Sequence, residues 1–288
     1  MPLGSAFHAT LNMGGGGAGG AAPAAGGWNI SGATYDSKSV SVSSYETTPE
    51  GLFFRPDGTR FYVIGSDNDT LIQFNLSTAW DISTATFSKQ TAANFLSAGG
   101  GAPTASWFNP DGTKMFLLNW ATRRAIYQYS LSTAWDIATL SYDSVYGEHQ
   151  ANGTNTLDMY FKSDGTKVYT LSLTGNIIYQ HSLSTAWDIS TISYDSKSFA
   201  VGTQDSATRG FYFKDDGTKL YTTGSTNDRV YQYSLSTAWD ISTASYDSVF
   251  FSVSSQDGTP RAIFFKPDGA KMYMMGSTTD TVYQYSTV

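Results

Sequence analysis

A unit of about fifty residues recurs along this chain of 288, and its last copy stops halfway through. Asp-Gly or closely similar turns fall at Asp57, Asp111, Asp164, Asp216 and Asp268, and a Trp closes a second element at Trp28, Trp80, Trp135, Trp187 and Trp239. Both series count five. The last unit lacks the segment that should follow Gln284-Tyr285, and that segment stands near the other end of the chain, from Trp28 to Val40. A linear solenoid has no reason to divide one unit between its termini, whereas a ring of small sheets needs a closure. The pattern therefore predicts a toroid.

The fourth unit shows what each sheet contains. Gly210–Lys214 reads as an inner strand, Asp215–Thr218 as a tight turn, Lys219–Thr223 as a second strand, Arg229–Ser234 as a third, and Ser245–Val253 as an outer strand after the Leu-Ser-Thr-Ala-Trp-Asp-Ile-Ser-Thr connection. Tyr, Phe, Thr, Ser and Val abound while Glu occurs only at positions 46, 50 and 148, a composition of sheets rather than helices. The expected fold class is all-β: a five-bladed β-propeller over residues 28–288, closed by an N-terminal strand that completes the C-terminal blade. Residues 1–27 are expected to form a Gly/Ala-rich anchoring arm, because residues 14–27 contain only Gly, Ala and Pro and cannot bury enough surface to fold alone.

Equivalent positions point to packing. Phe54, Phe108, Phe161, Phe213 and Phe265 are the same residue in all units, each preceded by another aromatic. Neighbouring strand residues face opposite ways, so each inner strand offers an aromatic to both adjacent blades, each ring contributing on the order of 2–3 kcal/mol before entropy. Trp80, Trp135, Trp187 and Trp239 repeat in the same connection, which favours a packing wedge over a sugar platform. Gln73, Gln128, Gln180, Gln232 and Gln284 are expected to bond to a neighbouring blade or to backbone.

In an up-and-down blade the first and third connections share one face of the ring, here near-identical from unit to unit. The second and fourth share the other face and vary, which places recognition there. Trp120, with Arg123 and Arg124 in the same turn, can stack a ring and hold a carboxylate or phosphate, and Glu148 and His149 in the next loop are candidates to join it. The arm enters at Trp28 on the monotonous face, so an arm-anchored ring points its variable face outward.

Catalysis is not expected. The inner strands begin at Glu50, Thr104, Leu157, Arg209 and Arg261, followed by Gly51, Ala105, Asp158, Gly210 and Ala262. Glu50 is expected to pair with Arg261 and Asp158 with Arg209, neutralising both carboxylates a glycosidase would need. Three scattered histidines and no cysteine give no metal site and no nucleophilic triad, and no cofactor is implied. Asp67-Asn68-Asp69 lacks the downstream Glu of a calcium loop and reads as a turn. The formal net charge of −7 disfavours nucleic acid, no stretch reaches membrane-spanning length, and no signal peptide is legible at the N-terminus.

The run F-x-P-D-G-T-K-x-Y followed by D-x-V-Y-Q-Y-S-L-S-T-A-W-D-I-S-T-A-S-Y-D-S resembles YVTN-like propeller repeats, and more closely the S-T-A-W-D-I-S repeats of bacteriophage structural proteins and marine bacterial surface proteins. The resemblance covers residues 28–288 and is specific for fold. It implies a non-catalytic virion protein, a capsid decoration or a head or tail fibre-like appendage, made in the host cytoplasm. Residues 1–27 would dock on capsid or tail proteins, with the ring free to form a homo-oligomer on the particle and to meet host-surface glycan. A bacterial lectin-like adhesion propeller, and a glycoside hydrolase or lyase, are the alternatives.

Overall fold

The computed structural model describes residues 27–92, 101–120, 125–149 and 155–288. Strand β1 (Thr34–Ser41) comes first. Blade 1 follows as β2 (Pro49–Phe54), β3 (Arg60–Gly65), β4 (Thr70–Leu76) and β5 (Ala85–Gln90). Blade 2 is β6 (Pro103–Phe108), β7 (Lys114–Asn119), β8 (Ala125–Leu131) and β9 (Leu140–Glu148). Blade 3 is β10 (Thr156–Phe161), β11 (Lys167–Ser172), β12 (Ile177–Leu183) and β13 (Ile192–Ala200). Blade 4 is β14 (Thr208–Phe213), β15 (Lys219–Gly224), β16 (Arg229–Leu235) and β17 (Ala244–Ser252), and β18 (Pro260–Phe265), β19 (Lys271–Gly276) and β20 (Thr281–Ser286) begin blade 5. Each blade is a four-stranded antiparallel sheet, and the fifth has the order β1-β20-β19-β18. The chain thus forms a five-bladed propeller closed by its own N-terminal strand, with Thr34 opposite Ser286 and Ser41 opposite Thr281. Beyond that pairing, the amide of Asn29 donates to the Val288 carbonyl at 3.0 Å and the amide of Val288 donates back at 3.1 Å.

The two monotonous connections act as one device. In the first turn Asp57 Oδ1 accepts from the amide and hydroxyl of Thr59 at 2.9 and 2.7 Å, and Gly58 adopts φ +71°. In the third connection Asp81 caps a single 3-10 turn, Ile82–Thr84, whose Ile is buried, and Trp80 just before it also has positive φ. The Trp80 indole lies over Gly58 so closely that a Cβ there would stand 2.3 Å from it. Glycine is required twice over, by its left-handed backbone and by the ring above it. The same pairing joins Gly112 to Trp135, Gly165 to Trp187, Gly217 to Trp239 and, across the closure, Gly269 to Trp28.

The outer strands carry a bulge at their Asp-Ser pair in blades 2 to 5, where Ser37, Ser144, Ser196 and Ser248 reach φ 57–58°. An outermost strand that bends in mid-course is a poor template for edge-to-edge pairing.

Seams between blades are both apolar and polar. Phe54 is fully buried and packs on Phe264 and Tyr273 of blade 5, with ring centroids 5.3 and 4.3 Å away. The hydroxyls of Tyr62, Tyr169 and Tyr273 donate to the carbonyls of Trp135, Trp239 and Trp80 in the next blade, at 2.9, 2.6 and 2.7 Å, and Tyr221 does the same to Trp28. Blade 2 has Phe116 at that position, and Lys114 Nζ reaches the Trp187 carbonyl instead, at 2.9 Å. Gln284, Gln128 and Gln180 accept from the amides of Ile82, Ile189 and Ile241 in the next blade. The repeated Gln and Trp are thus parts of the joints between sheets.

Candidate functional site

The five inner strands surround the ring's axis, and each departs from regular pairing near its start. The register shifts between Pro49 and Gly51, Pro103 and Ala105, Thr156 and Asp158, Thr208 and Gly210, and Pro260 and Ala262. The extra residue in each shift is Glu50, Thr104, Leu157, Arg209 or Arg261. A bulge re-aims the side chain it inserts, and these five define the channel mouth on the variable face.

Three of them are charged and come from consecutive blades. Arg261 Nη1 meets Glu50 Oε2 at 3.2 Å, the pair foreseen between the first and fifth blades, and its Nε donates to Ser277 Oγ at 2.9 Å. Arg209 Nε lies 3.4 Å from Ser225 Oγ. Burial pushes Glu50 up, opposed by the two guanidiniums. Burial and then the like charge of Arg261 push Arg209 down, opposed by Glu50 and Asp205. Two guanidiniums thus stand beside the Glu50 carboxylate in a half-desolvated mouth, with the buried carboxylate of Asp205 also acting on Arg209; of the two only Arg261 makes an ion pair among the described residues, which leaves the Arg209 guanidinium able to take an anion.

The expected pairing of Asp158 with Arg209 does not form. Arg209 is the inserted residue of its strand, whereas Asp158 stands one position deeper in its own. Asp158 instead accepts from the amide of Phe211 in blade 4 at 2.9 Å and from its neighbour Met159 at 2.8 Å. It lies at the waist of the channel, where Gly51 and Ala105 leave a void of only about 10 Å³, the size of one water. Burial without a cation raises its pKa to about 7.

Trp120 is half-exposed at 40% and its amide donates to the Ala102 carbonyl, as Ser225 and Ser277 donate to Ala207 and Thr259. By that equivalence Trp120 rims the mouth beside Thr104. Arg123 and Arg124 lie outside the described residues. Glu148 is exposed at the end of the outermost strand β9, away from the axis. His149 does not join a surface site: it is buried, edge-on to His181 with ring centroids 6.2 Å apart. Among the described residues no group of three His, Asp or Glu stands close enough to hold a metal.

Sequence reasoning missed what orders the variable face. Buried Asp205 accepts from the amides of Ala207, Thr226 and Asn227, and Asp257 from those of Thr259, Thr278 and Thr279. Glu46 does likewise for Thr48 and Asp67. Each pins the following blade's second turn to the loop before it. The signal was a carboxylate recurring four residues after a buried Val: Val42, Val201 and Val253.

No family model matches the chain, and no curated protein matches it. Among solved structures it is similar to a putative 6-phosphogluconolactonase from Bacteroides fragilis NCTC 9343, at 13% identity and TM-score 0.53 over 83% of this chain and 80% of that one. A putative 6-phosphogluconolactonase from Bacteroides uniformis ATCC 8492 aligns at 14% identity and TM-score 0.48 over 78% of this chain and 63% of that one. A functionally unknown protein from Desulfotomaculum acetoxidans DSM 771 aligns at 10% and 0.48, over 79% and 62%. The chain thus spans less than two thirds of the length of the latter two. At such identities the likeness shows the propeller fold alone. It does correct the expectation of a non-enzyme: a solved structure of this fold is described as a putative 6-phosphogluconolactonase, so a propeller poor in His and Cys does not set catalysis aside.

Proposed function

We propose that this propeller is a recognition module borne on a virus particle, attached through residues 1–27 to capsid or tail proteins and binding acidic host-surface glycan at its channel mouth. The observation that carries the recognition role is the cluster of Arg209, Arg261 and Glu50 on the face opposite Trp28, in which Arg261 pairs with Glu50 and Arg209 makes no ion pair among the described residues. A uronate or sialate carboxylate would take the place the second guanidinium leaves open, and Trp120 on the rim offers a ring face to a sugar. The virion setting is supported by the S-T-A-W-D-I-S resemblance. The test has two halves. Particles assembled with a chain lacking residues 1–27 should lose the protein although the isolated ring stays folded. A glycan array should show carboxylated sugars retained by the wild-type ring and lost from Arg209→Ala. Glycan binding by a ring that never enters particles would instead favour a free adhesion module.

A second reading rests on Asp158. A carboxyl raised to about 7 on the ring's axis has the proton affinity of a general acid–base group, and hydrolysis of a lactone or glycoside, or a lyase reaction, is the chemistry to screen. Turnover abolished by Asp158→Asn or Glu50→Gln would establish it; no turnover across a panel of sugar lactones and acidic polysaccharides would reject it.

A further inference from the structure

The opposite end of the channel is a second, chemically different site. On the monotonous face the axis opens into a cavity of about 410 Å³, within the range of small-molecule pockets. Its floor is a ring of five aromatics, Phe53, Trp107, Tyr160, Tyr212 and Phe264, one from each inner strand. They meet edge to face around the axis, for example Tyr160 with Tyr212 at 5.1 Å and Phe53 with Phe264 at 5.6 Å.

One position of the rim carries a charge. Its equivalent positions are Pro56, Pro110, Ser163 and Pro267, and in blade 4 Asp215. The basic side chains around the rim are already committed. Arg55, Lys162, Lys214 and Lys266 pair with Asp57, Asp164, Asp216 and Asp268 of their own turns, at 3.1, 2.6, 2.7 and 2.6 Å. Among the described residues Asp215 has no such partner. It lines the same cavity as Tyr160 and Tyr212.

An aromatic cup with one uncompensated carboxylate at its lip has the recognition chemistry of a soft, poorly hydrated cation. We propose that this cavity binds a small organic cation of the trimethylammonium type, its methyl groups against the aromatic floor and its charge beside Asp215. The site is independent of the channel mouth, which selects for the opposite charge from the opposite face.

Choline and its uncharged carbon isostere, in which a quaternary carbon replaces the nitrogen, are the probes, read by tryptophan fluorescence and calorimetry on the full chain. Choline should bind at least about tenfold more tightly than the isostere. Asp215→Asn should remove that preference while leaving the isostere's affinity in place, and Asp215→Pro, the residue of three sister blades, should do the same in a fold that already accepts it. Co-flotation with phosphatidylcholine vesicles would assign the cation to a lipid headgroup, and binding of soluble choline alone to a free solute. Equal affinity for choline and isostere, no choline binding up to about 10 mM, which is weaker than about 3 kcal/mol, or an unchanged preference in both Asp215 variants would overturn the assignment.

Discussion

The phenol-to-carbonyl joints between blades set up a graded experiment. Tyr273 is fully buried and its hydroxyl donates to Trp80 of blade 1 at 2.7 Å, so Tyr273→Phe removes the bond and leaves the carbonyl without that donor. A net hydrogen bond is worth about 1 kcal/mol and an unsatisfied buried partner adds to that, giving about 1.5–2 kcal/mol. For a ring of this size that is a fall of about 3–7 °C in Tm. Tyr62 makes the equivalent bond to Trp135 at 2.9 Å, but Arg60 Nη1 also donates to that carbonyl at 3.0 Å. The acceptor therefore keeps a donor in Tyr62→Phe, and the cost should drop to about 0.5–1 kcal/mol. Tyr194→Phe, on a half-buried outer-strand ring, serves as the control and should change stability by less than about 0.5 kcal/mol. Urea unfolding with a shared m-value measures all three. If Tyr273→Phe is as silent as Tyr194→Phe, or if Tyr62→Phe costs as much as Tyr273→Phe, the joints do not hold the ring by the bonds described.

Burial pushes Tyr62 up to about 12 and the phenols of Tyr169, Tyr221 and Tyr273 higher still, so these groups stabilise the fold fully below the free phenol value near 10 and lose that contribution as pH rises through their folded values. Absorbance at phenolate wavelengths and circular dichroism should therefore change together above about pH 11, whereas phenolate appearing well before unfolding would contradict the assigned burial. Burial first, and then the ring of His149, hold His181 down at about 3 against the pull of Asp195, so its contribution is complete above about 6.5 and is lost as pH falls toward 3. His181→Phe, the residue blade 1 carries as Phe74, should flatten the loss of unfolding free energy between pH 7 and pH 5, by up to about 2 kcal/mol; parallel curves would refute it. Gly217→Ala meets both the φ of +73° and the Trp239 ring 2.4 Å from its new Cβ, so it should cost about 2–4 kcal/mol in thermal melts, and in a Trp239→Ala background the same substitution should cost only the backbone part.

Ring closure was legible because repetition reports architecture directly: the fragment after Trp28 supplies the strand the last unit lacks, and β1 takes that place beside β20. The strand limits of the fourth unit also fell within two residues of β14 to β17, since alternating burial and Asp-Gly turns are local signals. What alternation cannot carry is an inserted residue. The bulges that aim Glu50, Arg209 and Arg261 into the mouth leave Asp158 a rung deeper, so adjacency around the ring was mistaken for contact. His149 was misplaced for a related reason, because a polar residue in a loop is assigned to the surface by default while its partner His181 lies in another blade. The cavity on the monotonous face left one trace in the sequence, an Asp where other units have Pro or Ser.

The clasp between β1 and β20 also fixes how the molecule would respond to force. Thr34 and Ser286 sit opposite one another at one end of that pairing, with Asn29 and Val288 joined just beyond. Tension applied between an anchored arm and anything continuing from Val288 would peel these rungs apart singly rather than load them in parallel. A tether on the arm alone leaves the clasp unstressed from its other side, so such a ring is suited to hanging from one point and poorly suited to serving as a link in a chain.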